Sequence, residues 1–386
     1  MDRKQAARER LDEARESLVA LSHQIHAHPE LGFEEEKACG WLGEALDAAG
    51  FNVQTGVCGL PTAFAATAGK GPLHIGIMAE YDSLPGVGHA CGHNLIATMA
   101  LGAALASAKV ADAAGLTITV LGTPAEEVGN AGGKVLMLER GAFQGLHAAM
   151  MVHPAPVDFV QPRLIAASMF DVYYTGKEAH AAAFPELGIN AADALTVAQV
   201  SIGLLRQHIR AGDRVHGICT HGGDAPNIVP AHTSARYIVR GENVNQMEEL
   251  RVKVRHCFEA GALATGSKLE IKGGDKPYTE MHHDPDIAEI YQRNAAALGR
   301  NLEASEAVAR FSGSTDMGNV SLALPSIHPM IGIDSFPAVN HQPEFTAHCV
   351  SAAADQAIYD GALAMAWTII DMAGDHKLSA RLQARH

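Results

Sequence analysis

The segment His89-Ala-Cys91-Gly-His93-Asn94 and the apolar run after it constrain this chain more than any other feature. A thiol and an imidazole two residues apart can point at one centre from an extended turn. The apolar run has helical spacing, so it predicts a buried helix that begins at the turn. The free N–H groups at such a helix N-terminus favour a thiolate. Because thiolate and neutral imidazole both bind borderline or soft divalent metals, we interpret this segment as half of a metal site.

Two adjacent carboxylates predict the other half of the site. Glu126 and Glu127 follow an apolar run at residues 116–121 and a Gly-Thr-Pro turn. In extended backbone, adjacent side chains point in opposite directions, so one carboxylate can bind a metal while its neighbour faces the substrate. A metallohydrolase needs this division between a ligand and a base that takes a proton from metal-bound water. A solvated pair of glutamates is the alternative interpretation.

Two further imidazoles complete the predicted ligand set. His153 follows a short apolar run, and His341 lies in a turn near the C-terminus. Neither is informative alone, because the chain has 21 histidines and most strand-end histidines are core or capping residues. With Cys91, His93 and Glu127 they give five ligand groups of mixed softness. A tetrahedral ion needs about four ligands, so the set favours two ions that would attract an anionic substrate and stabilise an oxyanion.

Alternating strand and helix patterns predict an α/β fold with active residues at strand ends. Strands are expected at residues 62–68, 73–79 and 116–121, and helices at 11–25, 34–49, 285–298 and 352–372. Residues 168–274 instead follow the β-α-β-β-α-β order of a ferredoxin-like α+β domain. We therefore predict a discontinuous catalytic domain, residues 1–167 and 275–386, with a central mixed sheet flanked by helices and the second domain inserted in it.

Composition excludes some classes of protein. A formal net charge of −14 without a basic stripe argues against a nucleic-acid partner. The six scattered cysteines fit a reducing compartment better than a disulfide framework. The charged N-terminus lacks the apolar core of a signal peptide, and no uncharged apolar run reaches the roughly 18 residues of a membrane span. We expect a cytoplasmic protein that does not enter a membrane.

The chain resembles the cysteine-containing branch of the di-metal aminoacylase/carboxypeptidase family. This branch includes hippurate hydrolases, auxin-conjugate amidohydrolases and p-aminobenzoyl-glutamate hydrolases. The resemblance runs from about residue 20 to the C-terminus, in the motifs quoted above and in four others. These are His28-Pro-Glu-Leu-Gly-Phe, Gly176-Lys-Glu-Ala-His180-Ala, Gly222-Gly-Asp-Ala-Pro-Asn227-Ile-Val-Pro and Ser314-Thr-Asp316-Met-Gly-Asn.

The resemblance implies a catalytic domain split by a dimerisation or lid domain, two Mn²⁺ or Zn²⁺ ions, and hydrolysis of an amide next to a free carboxylate. A homodimer or a higher homo-oligomer is therefore expected. By position, Glu126 would be the general base that later gives its proton to the leaving amine. The metal ligands would be Cys91, His93, Glu127, His153 and His341.

The resemblance also implies three substrate-binding residues. His180 would reach across the dimer to the substrate, Asn227 would help to hold it, and Arg240 would pair with a substrate carboxylate. Both His180 and Asn227 lie in turns rich in small residues, which equally suit ordinary loops. For Arg240, a salt-bridged strand residue is the alternative.

Two departures from the family pattern narrow the prediction. Glu80 stands where many relatives have Asp and others His, so we expect it beside the ligand set, with Asp82 orienting a ligand histidine. The short spacing from Asp82 to His89, and Asn94 where hippurate-type enzymes have Asp, favour p-aminobenzoyl-glutamate hydrolase and dipeptidase members.

The leading hypothesis is an amidohydrolase of a small N-acyl amino acid, an aminobenzoyl-amino acid or a dipeptide. Metal-bound hydroxide would attack the amide carbon while Glu126 moves the proton. A second hypothesis makes Cys91 a nucleophile with His93 as its base, but two residues in one turn seldom allow that geometry. A third is a metal-binding protein that has lost catalysis, and the presence of Glu126 argues against it.

Overall fold

The computed structural model describes residues 2–302 and 312–384, which form two units. The larger unit contains Met1–Val128, Gly132–Arg163 and Met281–His386. The smaller unit contains Gly129–Ala131 and Leu164–Glu280.

Strands and helices are numbered here in chain order within the described residues. The strands are β1 (Asn52–Thr55), β2 (Phe64–Gly69), β3 (Leu73–Ala79), β4 (Leu116–Gly122), β5 (Ala148–Met150), β6 (His153–Ala155), β7 (Ala166–Thr175), β8 (Arg214–His221), β9 (His232–Gly241), β10 (Lys268–Gly273), β11 (Ser326–Ile327) and β12 (Met330–Gly332). The helices are α1 (Arg3–Ala27), α2 (Glu36–Ala48), α3 (His93–Ala108), α4 (Ala111–Ala114), α5 (Gly133–Glu139), α6 (Ala191–Leu205), α7 (Val244–Thr265), α8 (Pro285–Ala297), α9 (Met317–Ala323), α10 (Pro343–His348), α11 (Ala352–Gly374) and α12 (His376–Gln383).

A mixed sheet in the order β1-β2-β4-β3-β5-β11 lies at the centre of the larger unit. The pairs β4-β3, β3-β5 and β5-β11 are parallel, whereas β2 pairs antiparallel with both β1 and β4. Strands β3 and β4 are almost entirely buried, as their continuous apolar sequences predict. The short polar strand β1 has no such pattern, and the sequence did not predict it. The predicted central mixed sheet flanked by helices is confirmed.

The apolar helix α3 packs against α1 and α11, and almost all of its residues are buried. It begins at His93, after Gly92 in the left-handed region with φ 84°. A Cβ on Gly92 would collide with the ring of Pro154, so the close approach requires glycine. Gly92 thus separates the thiol of Cys91 from the helix that carries His93.

The smaller unit is an antiparallel sheet in the order β10-β7-β9-β8, with α6 and α7 packed against it. Its core includes an aromatic group in which Phe258 contacts Tyr237 and Phe170 at ring-centroid distances of 5.0 and 6.1 Å. This strand order is that of the ferredoxin-like fold, as predicted. Within the described ranges, no helix is both long and apolar enough to cross a membrane.

Candidate metal centre

The five predicted metal ligands and the predicted base meet in the larger unit. Their ligand atoms form three overlapping groups, each with all atoms within 4.8 Å of one another. These groups are Cys91, His93 and His153; Cys91, Glu127 and His341; and His93, Glu126 and Glu127. Because the groups share members, the six residues form a single cluster, which we call the donor cluster.

The order of strands in the central sheet explains why these residues meet. Strand β3 pairs in parallel with β4 and β5, so the segments that leave their carboxyl ends emerge at the same edge. The chain leaves β3 into Glu80 and Asp82, and it leaves β4 through a turn into Glu126 and Glu127. His153 follows β5 and begins the short strand β6. Predicted site residues that are far apart in sequence therefore lie at one edge of the sheet.

His93 lies at the centre of the donor cluster. Its Nδ1 is 3.0 Å from Oδ1 of Asp82, and the other oxygen of Asp82 accepts a hydrogen bond of 2.9 Å from the backbone N–H of Glu127. A carboxylate at Nδ1 fixes the ring orientation and leaves Nε2 available as a metal ligand. This geometry supports the orienting role predicted for Asp82. Nε2 lies 3.4, 4.0 and 3.8 Å from carboxylate oxygens of Glu80, Glu126 and Glu127, respectively.

His153 and His341 come to the donor cluster from distant parts of the sequence. The Nδ1 of His153 lies 2.7 Å from the carbonyl oxygen of Pro154, so its Nε2, 3.4 Å from Sγ of Cys91, is the ring nitrogen that could bind a metal. His341 has a positive φ of 72°, and its backbone N–H donates to the carbonyl oxygen of Ala90 at 2.8 Å. Its Nε2 is 3.6 Å from Oε1 of Glu127, and its side chain is 57% exposed. His341 is therefore the member of the donor cluster that is most open to solvent.

The donor cluster fits divalent cations. It offers sulfur, nitrogen and oxygen donors, and most of them are buried. Within the described part of the chain, two of its buried atoms, Nε2 of His93 and Oε1 of Glu127, have no hydrogen-bond partner. Buried polar atoms without partners are costly, and a bound cation would satisfy both.

Two expectations about local geometry and charge are wrong. Glu126 and Glu127 lie in a 3-10 turn, Glu126–Val128, rather than in extended backbone, so both carboxylates face His93. The thiol of Cys91 is not made acidic by the helix terminus. Burial, followed by the charges of Glu127 and Glu126, raises its pKa well above the ordinary value. A bound cation would favour the thiolate, because metal binding displaces the thiol proton.

Two residues beside the donor cluster carried little signal in the sequence. Lys134 is fully buried and forms ion pairs with Glu80 and Asp316, although a lone lysine normally predicts an exposed side chain. Asp316 stands in one of the quoted motifs, which was its only signal. Glu80 lies beside the ligand set, as the sequence predicted.

The three predicted substrate-binding residues belong to the smaller unit. His180 and Asn227 are both exposed, and their segments are joined by a 3.0 Å hydrogen bond from the N–H of Ala181 to the carbonyl oxygen of Asn227. Arg240 lies on β9, where its Nε is 3.3 Å from Nε2 of His216. The structure thus brings His180 and Asn227 together, and places Arg240 on the sheet.

Comparison with known proteins identifies relatives over nearly the whole chain. Residues 76–364 match Peptidase family M20/M25/M40. The chain is 40% identical to the Xaa-Arg dipeptidase of Mus musculus, over 96% of this chain and 88% of that protein. It is 34% identical to one component of the p-aminobenzoyl-glutamate hydrolase of Escherichia coli, over 67% of this chain and 58% of that protein.

A solved structure shares the fold. A dinuclear metal-binding peptidase of family M20 from Bacillus subtilis superposes with a TM-score of 0.70 at 20% identity, over 94% of this chain and 99% of that chain. The resemblance predicted from the motifs is confirmed. The chain belongs to peptidase family M20/M25/M40 and is a metal-dependent hydrolase of amide or peptide bonds.

Proposed function

We propose that the chain is a dipeptidase that uses two divalent ions, Mn²⁺ or Zn²⁺, to cleave the amide next to a free carboxylate. The observation that carries this proposal is the donor cluster, where five ligand side chains and Glu126 meet at one sheet edge. Its substrate class is supported by the 40% identity to a protein named Xaa-Arg dipeptidase, which extends over 96% of this chain.

In this proposal, Cys91, His93, Glu127, His153 and His341 hold the ions. The ions, when bound, supply Lewis acidity that polarises the amide carbonyl and makes water more acidic. Asp82 fixes the ring of His93 through its contact of 3.0 Å with Nδ1. Asp82 also accepts the N–H of Glu127, so one carboxylate orients two of the ligands.

Glu126 acts as the general base. Its carboxylate is 4.0 Å from Nε2 of His93 and is buried beside the ligand atoms. From this position it takes a proton from the attacking water and later gives it to the nitrogen of the leaving amine. Both transfers use the same carboxylate oxygens, because the water and the leaving nitrogen occupy neighbouring positions on the tetrahedral carbon.

We also propose that the chain forms a homodimer through the smaller unit. Strand β8 is an edge strand of the antiparallel sheet, and most of its side chains are exposed, including Ile218 at 65%. Helix α6 of the same unit exposes Val200 at 60% and Leu204 at 71%. An edge strand next to exposed apolar side chains favours pairing with a second copy.

The dimer gives His180 its predicted task. In this arrangement, His180 of one chain binds substrate in the partner's site, Asn227 helps to hold the substrate, and Arg240 pairs with the substrate carboxylate.

All six cysteines are free thiols, which supports a reducing, cytoplasmic location.

An aminobenzoyl-amino acid is the second candidate substrate. It is favoured by the 34% identity to a component of a p-aminobenzoyl-glutamate hydrolase, although that match covers only 67% of this chain. The two substrate classes share a free carboxylate beside the cleaved amide, so they differ in the group on the carbonyl side.

A hydrolysis screen tests the proposal. Chain purified without metal is supplied with Mn²⁺ or Zn²⁺ and assayed with Xaa-Arg dipeptides, other dipeptides, N-acyl amino acids and p-aminobenzoyl-glutamate. We expect the highest kcat/KM for a dipeptide and loss of turnover with EDTA. Faster cleavage of p-aminobenzoyl-glutamate would overturn the substrate class. Full activity in EDTA would overturn the metal mechanism and favour Cys91 as a nucleophile.

A further inference from the structure

A second group of potential ligand atoms lies beside the donor cluster. Carboxylate oxygens of Glu80, Glu126 and Asp316 lie within 4.8 Å of one another, and all three side chains are buried. Glu126 belongs to both groups. Three carboxylates at this spacing offer only oxygen ligands, which suit a hard cation such as Mn²⁺ or Ca²⁺.

The ammonium group of Lys134 already forms ion pairs with two of these carboxylates. Lys134, in the first turn of α5, is fully buried, and its Nζ lies 2.5 Å from Oε1 of Glu80 and 2.5 Å from Oδ1 of Asp316. The other oxygen of Asp316 accepts the backbone N–H of Lys134 at 2.9 Å. Side chain and backbone of one residue therefore fix the same carboxylate, which holds the ammonium group in one place.

The contact with Glu80 bears on the ligand set of the donor cluster. Oε2 of Glu80 is 3.4 Å from Nε2 of His93, the ligand atom at the centre of that cluster. Glu80 is thus close enough to compete with Glu127 for an ion held by His93. Its other oxygen, Oε1, forms an ion pair with Lys134. This pair compensates the negative charge of Glu80 and restrains the carboxylate on the side away from His93.

We propose that Lys134 is a built-in counterion that prevents a third divalent ion from binding to Glu80, Glu126 and Asp316. It confines the divalent ions to the donor cluster and leaves Glu126 free of a metal, as a general base must be. An ordinary stabilising ion pair would hold α5 in place but would not change the number of ions bound. Lys134 is therefore a positioning residue, and metal content is the measurement that separates the two roles.

The test compares the metal content of four full-length proteins after equilibration with Mn²⁺ and removal of excess ion. These are the unmodified chain, Lys134→Met, Lys134→Gln, and the double variant Lys134→Met/Asp316→Asn. We expect two ions per unmodified chain, close to three in either single variant, and two again in the double variant. Titration of the metal-free proteins with Mn²⁺ should show the extra site as a separate binding step in the single variants alone.

The Lys134→Gln variant is included in case Lys134→Met does not fold, because the glutamine amide can still hydrogen-bond one carboxylate. Circular dichroism of each protein identifies folded material. An unchanged ion count and unchanged Mn²⁺ affinities in a folded single variant would overturn the proposal. The inference rests on the proposed pair of ions, but the experiment distinguishes a failure of the inference from a failure of that proposal. A count other than two in the unmodified chain contradicts the pair, whereas only the difference between variant and unmodified chain concerns Lys134.

Discussion

The two units differ in how far their predicted functional residues are buried. In the larger unit, His93 and His153 are buried and lie within 4.8 Å of Cys91, although His153 is distant in sequence. In the smaller unit, His180 and Asn227 are exposed on adjoining segments. The difference is physical. A metal site needs donors that converge on one point, whereas residues that bind substrate can point toward a molecule that the chain does not contain.

The strongest challenge to this comparison is removal of the proposed base. We expect Glu126→Gln to lower kcat by about 10² to 10⁴, the usual contribution of a general base. Metal content should not change, because the five predicted ligands remain. Kinetics with the best dipeptide and a metal assay on the same preparation measure both quantities. Turnover close to that of the unmodified chain would remove Glu126 from its assigned role.

A smaller effect is expected from the residue that orients His93. Asp82→Asn should weaken metal binding or activity by about 10- to 100-fold, as loss of such supporting carboxylates typically does. The matched control is Asp355→Asn. Asp355 contacts His23 at 2.8 Å in the same unit but outside the donor cluster. If both variants lose metal affinity equally, Asp82 acts only through general stability.

The smallest effect is expected in the smaller unit. His180→Ala should lower kcat/KM by about tenfold, equivalent to about 1.4 kcal/mol of transition-state binding. His232→Ala, another exposed histidine of that unit, is the control and should have no effect. Sedimentation should show dimers for both variants.

Mixing experiments sharpen the same prediction. A dimer of one Glu126→Gln chain and one His180→Ala chain contains one intact site only if His180 acts across the dimer. Co-refolded chains should then recover part of the activity that each variant lacks. No recovery in confirmed mixed dimers would contradict action in the partner's site, and monomers throughout would contradict the dimer itself.

The sequence predicted the elements whose pattern is local. Strands β3 and β4 are continuous apolar runs, and helix α3 follows a glycine-containing turn, so burial alone specifies them. The order of parallel strands then requires residues after β3 and β4 to meet at one edge. The chemistry of Cys91, His93 and the glutamate pair completes the argument for a metal site.

Only the tertiary structure decided how the two glutamates are presented. Ala125 has a positive φ of 59°, and its backbone N–H donates to the buried carboxylate of Glu35 at 2.7 Å. A Cβ on Gly32 would lie 3.0 Å from Cα of Ala125, so this loop packs closely on the turn. These contacts join segments about 90 residues apart, and no local pattern encodes them.

The burial of Lys134 has the same origin. A lysine normally predicts an exposed side chain, but the environment of Lys134 is made by Glu80 and Asp316 from two other parts of the chain. Residue type and spacing therefore determined which groups can bind metal. Packing between distant segments determined which carboxylates face the ions and which one is neutralised, because a buried charge is set by all of its neighbours in space.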